Sequence, residues 1–286
     1  MTDPNTPWRW KVPGPEENAR LGLLYEPGNW GDILKGTWAL AAARVLLAQT
    51  SGRPFRYLDP FAGAPTYPLT PGARRRLDLI PDSELARAQE PYSARAELAS
   101  TALLVRDLAI RSGREASLFV HDVDPARGSA WGAVPEAVKP TCSTGEDLLD
   151  AWRQEPAPDL VLIDPYDLFD RFATLLPRGL EAAQGGAVLY YLYNKSPRSG
   201  GFERTYRSLR RALDRALGQG SSFVVGRIPS DPILPRAFHE VILAGPVPLV
   251  SALAGKLRED TESLAALLAR QGAFEPPSRL PEGPAS

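Results

Sequence analysis

The chain has 286 residues, a formal net charge of −1, and 43% hydrophobic and 23% charged residues. These totals are ordinary for a soluble globular protein, and they exclude a strong overall basic field for nucleic acid. One cysteine excludes an internal disulfide framework, and two histidines argue against a histidine-based metal site or a Ser-His-Asp triad. The sequence has no signal-peptide pattern and no apolar run of about 20 residues, so we expect a cytoplasmic protein that contacts no membrane. We also expect no bound metal, and the class of metal site that the histidine count leaves open is one formed by carboxylates.

The first predicted element is a helix. The first 20 residues are rich in proline and charge and are expected to lie over the surface. Residues 32–48 then carry apolar side chains at helical spacing. Asp32 is suited to the N-terminal cap or to the first turn of this helix.

Beyond this helix, strand-like and helix-like segments alternate, which predicts an α/β fold with a mostly parallel sheet. Seven strands are predicted, at 55–59, 116–121, 138–142, 159–163, 187–193, 221–227 and 238–244. Helices are predicted near 94–112, 125–134, 146–154, 168–183, 202–217 and 248–270.

One connection is unusually long. Residues 65–92 follow the first strand and contain five prolines. A connection of this length inside a compact domain is usually functional or has its own small structure, so we predict a lid or a helical insertion. The predicted organisation is therefore an N-terminal extension at 1–30, one domain at 31–274 that carries the insertion, and a disordered proline-rich tail at 275–286.

Two predicted strands, about a hundred residues apart, end in an aspartate and then turn. Asp59 is followed by the small residues Ala62, Gly63 and Ala64, and Asp164 is followed by Pro165 and Tyr166. Because ligands of open α/β sheets bind just beyond the carboxyl ends of the strands, both aspartates are expected at one crevice.

The last two predicted strands are joined by a loop with three prolines and no convincing helix, so they should pair antiparallel. A seven-stranded sheet that is parallel except for a final antiparallel strand is the Rossmann-like class I layout of methyltransferases that use S-adenosylmethionine (SAM). The fold and the two strand-end motifs therefore predict SAM as cofactor.

Several residues are candidates to bind SAM. Asp122 follows the second strand of the sheet and is predicted to accept the ribose hydroxyls, with Asp124 as the second candidate. Asp59 is placed near the amino-acid part of SAM, where Gly63 leaves room. Gly145 and Glu146 either line the adenine edge or begin a capped helix.

Asp164, Pro165 and Tyr166 are the predicted catalytic residues for transfer to an amino nitrogen. The exocyclic amine of a purine is a poor nucleophile, because its lone pair is delocalised into the ring. An aspartate carboxylate and a backbone carbonyl that accept its two hydrogens can draw the nitrogen toward tetrahedral geometry. A stacked aromatic ring can then hold the base, once it is extracted from its stack, in line with the methyl donor.

These motifs resemble, over nearly the full length of the chain, the 23S ribosomal RNA adenine-N6 methyltransferase J family. Gly28 to Gly36 is similar to the family's Gly-Asn-x-Ala-Asp-Val-x-Lys-His motif, and Leu58 to Gly63 to its Leu-Asp-x-x-Ala-Gly stretch. The helical insertion of that family ends in Tyr-Pro-Gly-Ser-Pro, which Glu90 to Ala94 resembles. Asp122 to Pro125 resembles its Glu-Leu-His-Pro, and Leu162 to Tyr166 resembles its Leu-Ile-Asp-Pro-Pro-Tyr.

The resemblance implies functions for particular residues. Ser93, Asp122, Gly145 and Asp164 would contact SAM, and Asp164 would also be catalytic. Lys35, the lysine of the first motif, is added to the cofactor-binding residues. The implied partner is ribosomal RNA, and we expect a monomer.

The chain also departs from this family. One proline precedes Tyr166 where the family has two, and Phe169 is a possible replacement for the stacking aromatic. Two family histidines are replaced here, by Gly36 and Phe61.

Three hypotheses follow from these patterns. The first is a SAM-dependent methyltransferase that acts on adenine N6 in ribosomal RNA, for which Arg74 to Arg76 and the arginines at 204–215 offer local basic patches. The second keeps SAM but has a protein or small-molecule acceptor, in line with the near-neutral charge. The third is a non-catalytic binding protein with a methyltransferase fold, in line with the replaced histidines.

Overall fold

The computed structural model describes residues 27–50, 52–138, 142–152, 156–165, 168–195, 211–213, 215, 217, 220–229 and 237–274. Nine strands lie in this part of the chain: β1 (Phe55–Asp59), β2 (Thr66–Pro68), β3 (Glu97–Ala99), β4 (Ala116–Val120), β5 (Ala137–Val138), β6 (Leu160–Ile163), β7 (Ala187–Lys195), β8 (Ser221–Pro229) and β9 (Ala237–Pro246).

The principal helices are α1 (Trp30–Gln49), α2 (Pro71–Asp78), α3 (Glu84–Ser93), α4 (Thr101–Arg111), α5 (Pro125–Ala130), α6 (Gly145–Trp152), α7 (Leu168–Ala183) and α8 (Val247–Phe274). Within the described ranges, no helix has the length and apolar character needed to cross a membrane. The predicted helix at 202–217 falls mostly outside the described residues. The extension and tail boundaries stay predictions.

Seven strands form one sheet in the order β5-β4-β1-β6-β7-β9-β8. The first five strands in this order, β5, β4, β1, β6 and β7, are parallel to their neighbours, and β9 runs antiparallel to both β7 and β8. This topology confirms the predicted Rossmann-like class I methyltransferase fold. The strand that carries Asp59, β1, lies between β4 and β6 near the middle of the sheet.

Helices cover both faces of the sheet. Along β6, Leu160 and Leu162 belong to a core with α1, α4 and α8, whereas Val161 and Ile163 belong to a second core with α6 and α7. Successive strand residues point to opposite faces, so an uninterrupted apolar strand indicates a sheet that is buried on both sides.

The N-terminus of α1 has a well-defined cap. The Asn29 side chain accepts hydrogen bonds from the backbone N–H groups of Gly31 and Asp32. Asn29 is therefore the N-cap, and Asp32 lies in the first turn, the second of its two predicted positions. There its carboxylate interacts favourably with the positive end of the helix dipole and accepts a hydrogen bond from the N–H of Gly28 at 2.9 Å.

The long connection after β1 contains α2, α3 and an antiparallel pair formed by β2 and β3. The predicted start of a helix near 94 is wrong, because β3 intervenes and α4 begins only at Thr101, after the Ser100 cap. The buried Gln89 amide explains the short strand, since it both donates to the Ala99 carbonyl and accepts from the Ala99 N–H at 2.9 Å.

The C-terminal helix α8 packs on α1 and on β8. The indole N–H of Trp38 donates to Thr261 Oγ1 at 3.2 Å, deep in the core. A Cβ at Gly226 of β8 would collide with the Trp38 ring and with Thr261. Glycine at 226 therefore leaves the space that Trp38 fills.

A buried carboxylate joins β1 to the start of β6. Asp159 accepts two hydrogen bonds from the Arg53 guanidinium, at 2.5 and 3.0 Å, and a third from the Arg56 backbone N–H at 2.9 Å. We expect Asp159→Ala to lower the free energy of unfolding by about 2–4 kcal/mol, because it leaves a backbone donor and a guanidinium without their acceptor. Chemical denaturation measures this loss. The exposed Asp78→Ala serves as control, and equal stability of the two variants would contradict the assignment.

Candidate active site

Three aspartates from the predicted site lie at the carboxyl ends of adjacent parallel strands. Asp59 ends β1, Asp122 follows β4 by two residues, and Asp164 follows β6 directly. The parallel registers of β1 with β4 and of β1 with β6 bring these strand ends to one edge of the sheet. This is the edge at which open α/β sheets bind ligands.

Lys35 of α1 reaches this edge and is buried, with 7% of its surface exposed. Its Nζ lies 2.5 Å from Asp164 Oδ2 and 3.0 Å from Asp32 Oδ1, and it also lies 5.1 Å from the centre of the Tyr191 ring. The ammonium group thus joins the first turn of α1 to the end of β6. An ion pair whose ammonium group is buried holds both side chains in place.

Asp59 is almost fully buried, with 3% of its surface exposed. Its Oδ1 accepts the Phe61 N–H at 3.1 Å, and its Oδ2 lies 3.4 Å from the Tyr57 hydroxyl. Burial, together with the negative charge of Asp164, raises the pKa of Asp59 to about 7. Burial also raises the pKa of Asp164 to about 6, although Lys35 opposes that shift.

A tyrosine and a histidine lie beneath the N-terminus of α1. The Tyr191 hydroxyl is 2.8 Å from His239 Nδ1, and both side chains are buried. Burial lowers the pKa of His239 to about 4, so the ring is neutral at physiological pH and its Nδ1 can accept a hydrogen bond from the Tyr191 hydroxyl. A Cβ on Gly31 would collide with both groups, which explains glycine at this position in α1.

Asp122 organises the loop that follows β1. Its Oδ2 accepts the Gly63 N–H at 3.0 Å, and its Oδ1 accepts the Asp124 N–H at 2.7 Å. Arg127 Nε lies 3.4 Å from the same carboxylate. Asp124 instead caps α5 through the Ala126 N–H. Asp122 thus holds the loop after β1, Asp124 serves as a helix cap, and the assignment of Asp122 to the ribose stays a prediction.

Gly63 has a positive φ of 65°, which favours glycine. A Cβ there would collide with the Tyr67 hydroxyl, which accepts the Ala64 N–H at 2.9 Å. The Gly63 carbonyl accepts the indole N–H of Trp131 at 2.9 Å. Local packing thus explains the glycine, whether or not a cofactor also approaches it.

Gly145 and Glu146 begin α6, and Thr144 Oγ1 caps this helix by accepting the Asp147 N–H at 3.1 Å. A Cβ on Gly145 would press against the carbonyl of Pro60 and the ring of Phe61. Glu146 forms an ion pair with Arg171 of α7, whose guanidinium lies 5.7 Å from the Phe61 ring centre. The capped helix start is thus observed, and it lies against the loop after Asp59.

The remaining predicted residues have different positions. Ser93 is buried at the end of α3, and its carbonyl accepts Arg74 Nη2 at 3.0 Å, a contact within the insertion. Pro165 is buried directly after Asp164. Tyr166 lies outside the described residues, and the side chain of Phe169 does too.

Sequence reasoning missed several neighbours of the predicted residues. Asp32 and Lys35 are three residues apart on one helix, so their contact was open to prediction. Tyr191 and His239 are diagonal neighbours across β7 and β9, and this can be read only when the strand register is known.

Chemically, the site offers several carboxylates and one ammonium group. Such a donor set suits a ligand that carries hydroxyl and cationic groups. Among the described residues, no group of three or more His, Cys, Asp and Glu side chains is arranged to hold a metal ion.

A comparison with protein-family models found no match, and neither did a comparison with curated proteins. Among solved structures, the fold is similar to that of protein LPL1258 from Legionella pneumophila str. Philadelphia 1, described with the family model DUF519. The TM-score is 0.61 and the identity 14%, over 85% of this chain and 94% of that chain. The structure of aTrm5 with tRNALeu was also found, at a TM-score of 0.32 and 10% identity, over 72% of this chain and 44% of that chain. At these identities the first similarity concerns the fold alone. The second similarity is too low to indicate a shared structure or function.

The raised pKa values of Asp59 and Asp164 predict how stability depends on pH. A folded-state pKa above the unfolded value stabilises the fold below about pH 4, and this contribution is lost as pH rises through about 6–7. We expect Asp59→Asn to raise the melting temperature by a few degrees at pH 8 and to change it little at pH 4, without added ligand. Asp78→Asn is the control, and a wild-type-like pH profile in Asp59→Asn would contradict the assignment.

Two helical glycines offer a matched comparison. Gly31→Ala should lower the free energy of unfolding by about 1–3 kcal/mol, because its methyl group collides with Tyr191 and His239. Gly255→Ala in α8 meets no neighbouring atom and should stabilise the protein by up to about 1 kcal/mol. Denaturant unfolding of both variants tests the close packing over the Tyr191–His239 pair, and similar values would disprove it.

Proposed function

We propose that this protein is a SAM-dependent methyltransferase that modifies the N6 amino group of adenine in ribosomal RNA. The observation that carries the proposal is the partly buried Lys35–Asp164 ion pair at the carboxyl end of β6. Lys35 holds Oδ2 of Asp164, whereas Oδ1 has no hydrogen-bond partner within the described part of the chain. An oriented carboxylate with one available oxygen suits an amino group that must be held by its hydrogens.

The proposed cofactor site is built around the same edge of the sheet. SAM would supply a methyl group activated by its positively charged sulfur. Asp122 is the proposed acceptor for the ribose hydroxyls, and Asp59 is proposed for the amino-acid part. Gly63, Ser93, Gly145, Glu146, Lys35 and Asp164 complete the proposed cofactor site.

The proposed chemistry centres on Asp164 and Pro165. Asp164 Oδ1 and the Pro165 carbonyl accept the two hydrogens of the adenine amine, which frees its lone pair for attack. When the nitrogen gains a carbon, it must lose one proton. A partly buried carboxylate whose pKa is raised to about 6 is suited to receive that proton. Tyr166 is proposed to stack on the base.

Two observations support an RNA acceptor. The first is the resemblance of the strand-end motifs to the ribosomal RNA methyltransferase family. The second is the position of α2, whose residues Arg74 and Arg75 are exposed. Arg76 donates to the Gly28 carbonyl at 3.2 Å and thereby holds α2 beside the N-terminus of α1, which carries Lys35. Exposed guanidinium groups at this position can contact backbone phosphates.

Tritiated methyl transfer from SAM tests the proposal directly. Unmodified ribosomal RNA, DNA and protein are offered in parallel, and labelled RNA is digested to nucleosides. We expect label in N6-methyladenosine. Label in protein or in a small molecule would show that the acceptor is not RNA. Absence of SAM binding by calorimetry would support the non-catalytic alternative.

Asp164→Asn tests the catalytic assignment. The carboxamide keeps the shape of the side chain but loses the charge that pairs with Lys35 and the capacity to accept a proton. We expect the methyl-transfer rate to fall at least about 100-fold. Single-turnover assays give this rate at saturating SAM, so a change in SAM affinity does not obscure it. Asp78→Asn is the control with wild-type activity, and a decrease of only a few fold in Asp164→Asn would refute the catalytic role.

A further inference from the structure

The ammonium group of Lys35 has an aromatic neighbour as well as its two carboxylates. Its Nζ lies 5.1 Å from the centre of the Tyr191 ring, within the roughly 6 Å at which an aromatic face attracts a cation. Both side chains are buried, so water screens this attraction little. The ring therefore helps to hold the ammonium group that contacts Asp164 at 2.5 Å.

The Tyr191 ring is itself held in place. Its hydroxyl lies 2.8 Å from His239 Nδ1, and the two rings are nearly parallel, at an angle of 18°. Gly31 lies one helical turn before Lys35 on α1, and a Cβ at Gly31 would collide with the Tyr191 hydroxyl. The ring is thus enclosed between the first turn of α1 and the imidazole of His239.

His239 supports the ring without adding charge beside Lys35. Burial lowers its pKa to about 4, and the positive charges of Lys35 and Arg76 also oppose protonation, whereas Asp32 favours it. The imidazole is therefore neutral at the pH values at which Asp164 titrates. A neutral imidazole does not repel the ammonium group above it.

We propose that Tyr191 is a positioning residue for methyl transfer, whose ring holds the Lys35 ammonium group against Oδ2 of Asp164. The inference rests on the proposed function, in which the other oxygen of Asp164 accepts a hydrogen of the amine. When the ammonium group moves away from Oδ2, the carboxylate can rotate and loses the charge that stabilises its ionised form. Tyr191 thus acts through Lys35 rather than on the substrate.

Nuclear magnetic resonance tests the contact without substrate. The chain has five lysines, so a lysine-labelled sample gives few signals, and Lys35→Arg identifies the signal of Lys35. The ring current of Tyr191 should shift the ε-methylene protons of Lys35 upfield. Tyr191→Phe should keep this shift and Tyr191→Leu should lose it. An unshifted Lys35 signal in the wild type would overturn the proposal.

Tyr190→Leu is the matched control. Tyr190 is the preceding residue of β7, is 2% exposed, and packs in the core on the opposite face of the sheet. Its hydroxyl donates to the Leu176 carbonyl at 2.7 Å. The control therefore removes a buried, hydrogen-bonded tyrosine from the same strand, and it should keep the upfield shift of Lys35.

Single-turnover methyl transfer at saturating SAM tests the positioning role. At pH 8, Tyr191→Leu should lower the rate roughly tenfold, because a desolvated cation–π contact is lost. Tyr191→Phe and Tyr190→Leu should keep rates close to that of the wild type. Equal rates in Tyr191→Leu and Tyr191→Phe would refute the role.

The pH–rate profile separates positioning from a loss of stability. Lys35 lowers the pKa of Asp164, so its displacement in Tyr191→Leu should move the acidic limb of the profile to higher pH. Asp32 of α1 and Asp59 and Tyr57 of β1 also face this carboxylate, and the variants leave them in place. The Tyr190→Leu profile should match that of the wild type, and an equal displacement there would count against the proposal.

The outcomes separate this inference from the function on which it rests. If the wild type transfers no methyl group to RNA, the proposed function is wrong, and the Lys35 signal alone decides whether Tyr191 holds the ammonium group. If it does transfer and Tyr191→Leu keeps the wild-type rate and profile, the function survives and the inference fails.

If Tyr191→Leu does not fold, as judged by circular dichroism, 3,4,5-trifluorophenylalanine at position 191 decides. The fluorine atoms withdraw the negative charge of the ring face and keep a planar aromatic ring in the core. The rate should then fall several-fold below that of Tyr191→Phe. An unchanged rate would show that the ring only fills space.

Discussion

The contact between Lys35 and Asp164 is the constraint on which the candidate site depends. These residues are 129 positions apart, one in α1 and one directly after β6. A buried ammonium group is stable in its charged form only beside carboxylate partners, and the ammonium group in turn stabilises the charge of those carboxylates. The pair therefore fixes where α1 lies on the sheet edge, and with it the positions of Asp32, of Gly31 and of the buried tyrosine beneath.

The loops around this pair are held by their own polar groups. Asp122 bonds to backbone N–H groups of two different loops, and Trp131 bonds to the Gly63 carbonyl. On the other side, the Glu146–Arg171 pair joins the start of α6 to α7 over Phe61. The loop after β1, which contains Gly63, is thus connected to α7, the helix that follows Asp164 and Pro165. A preorganised site of this kind loses little entropy when a ligand arrives.

Much of the fold was predictable because its signals are local. Apolar runs that end in Asp59 and Asp164 mark buried strands, and the proline-rich loop before β9 predicts the final antiparallel pair. The start of α4 was not predictable from local spacing, because Gln89 satisfies the backbone of Ala99 through a contact that no periodicity shows. The site was predicted as separate residues, whereas the electrostatic coupling between Lys35, Asp164 and Asp59 arises only from tertiary packing.

The contact between Trp38 and Thr261 has a consequence for how the protein is made. α1 carries Lys35, yet it packs against β9 and α8, and its Trp38 contacts a residue 223 positions later in the chain. A nascent chain can form the parallel half of the sheet while α1 still lacks the partners that cover it. α1 is therefore fully covered only after β9 and α8 have been synthesised, so the helix that carries Lys35 depends for its packing on residues far later in the chain than Asp164.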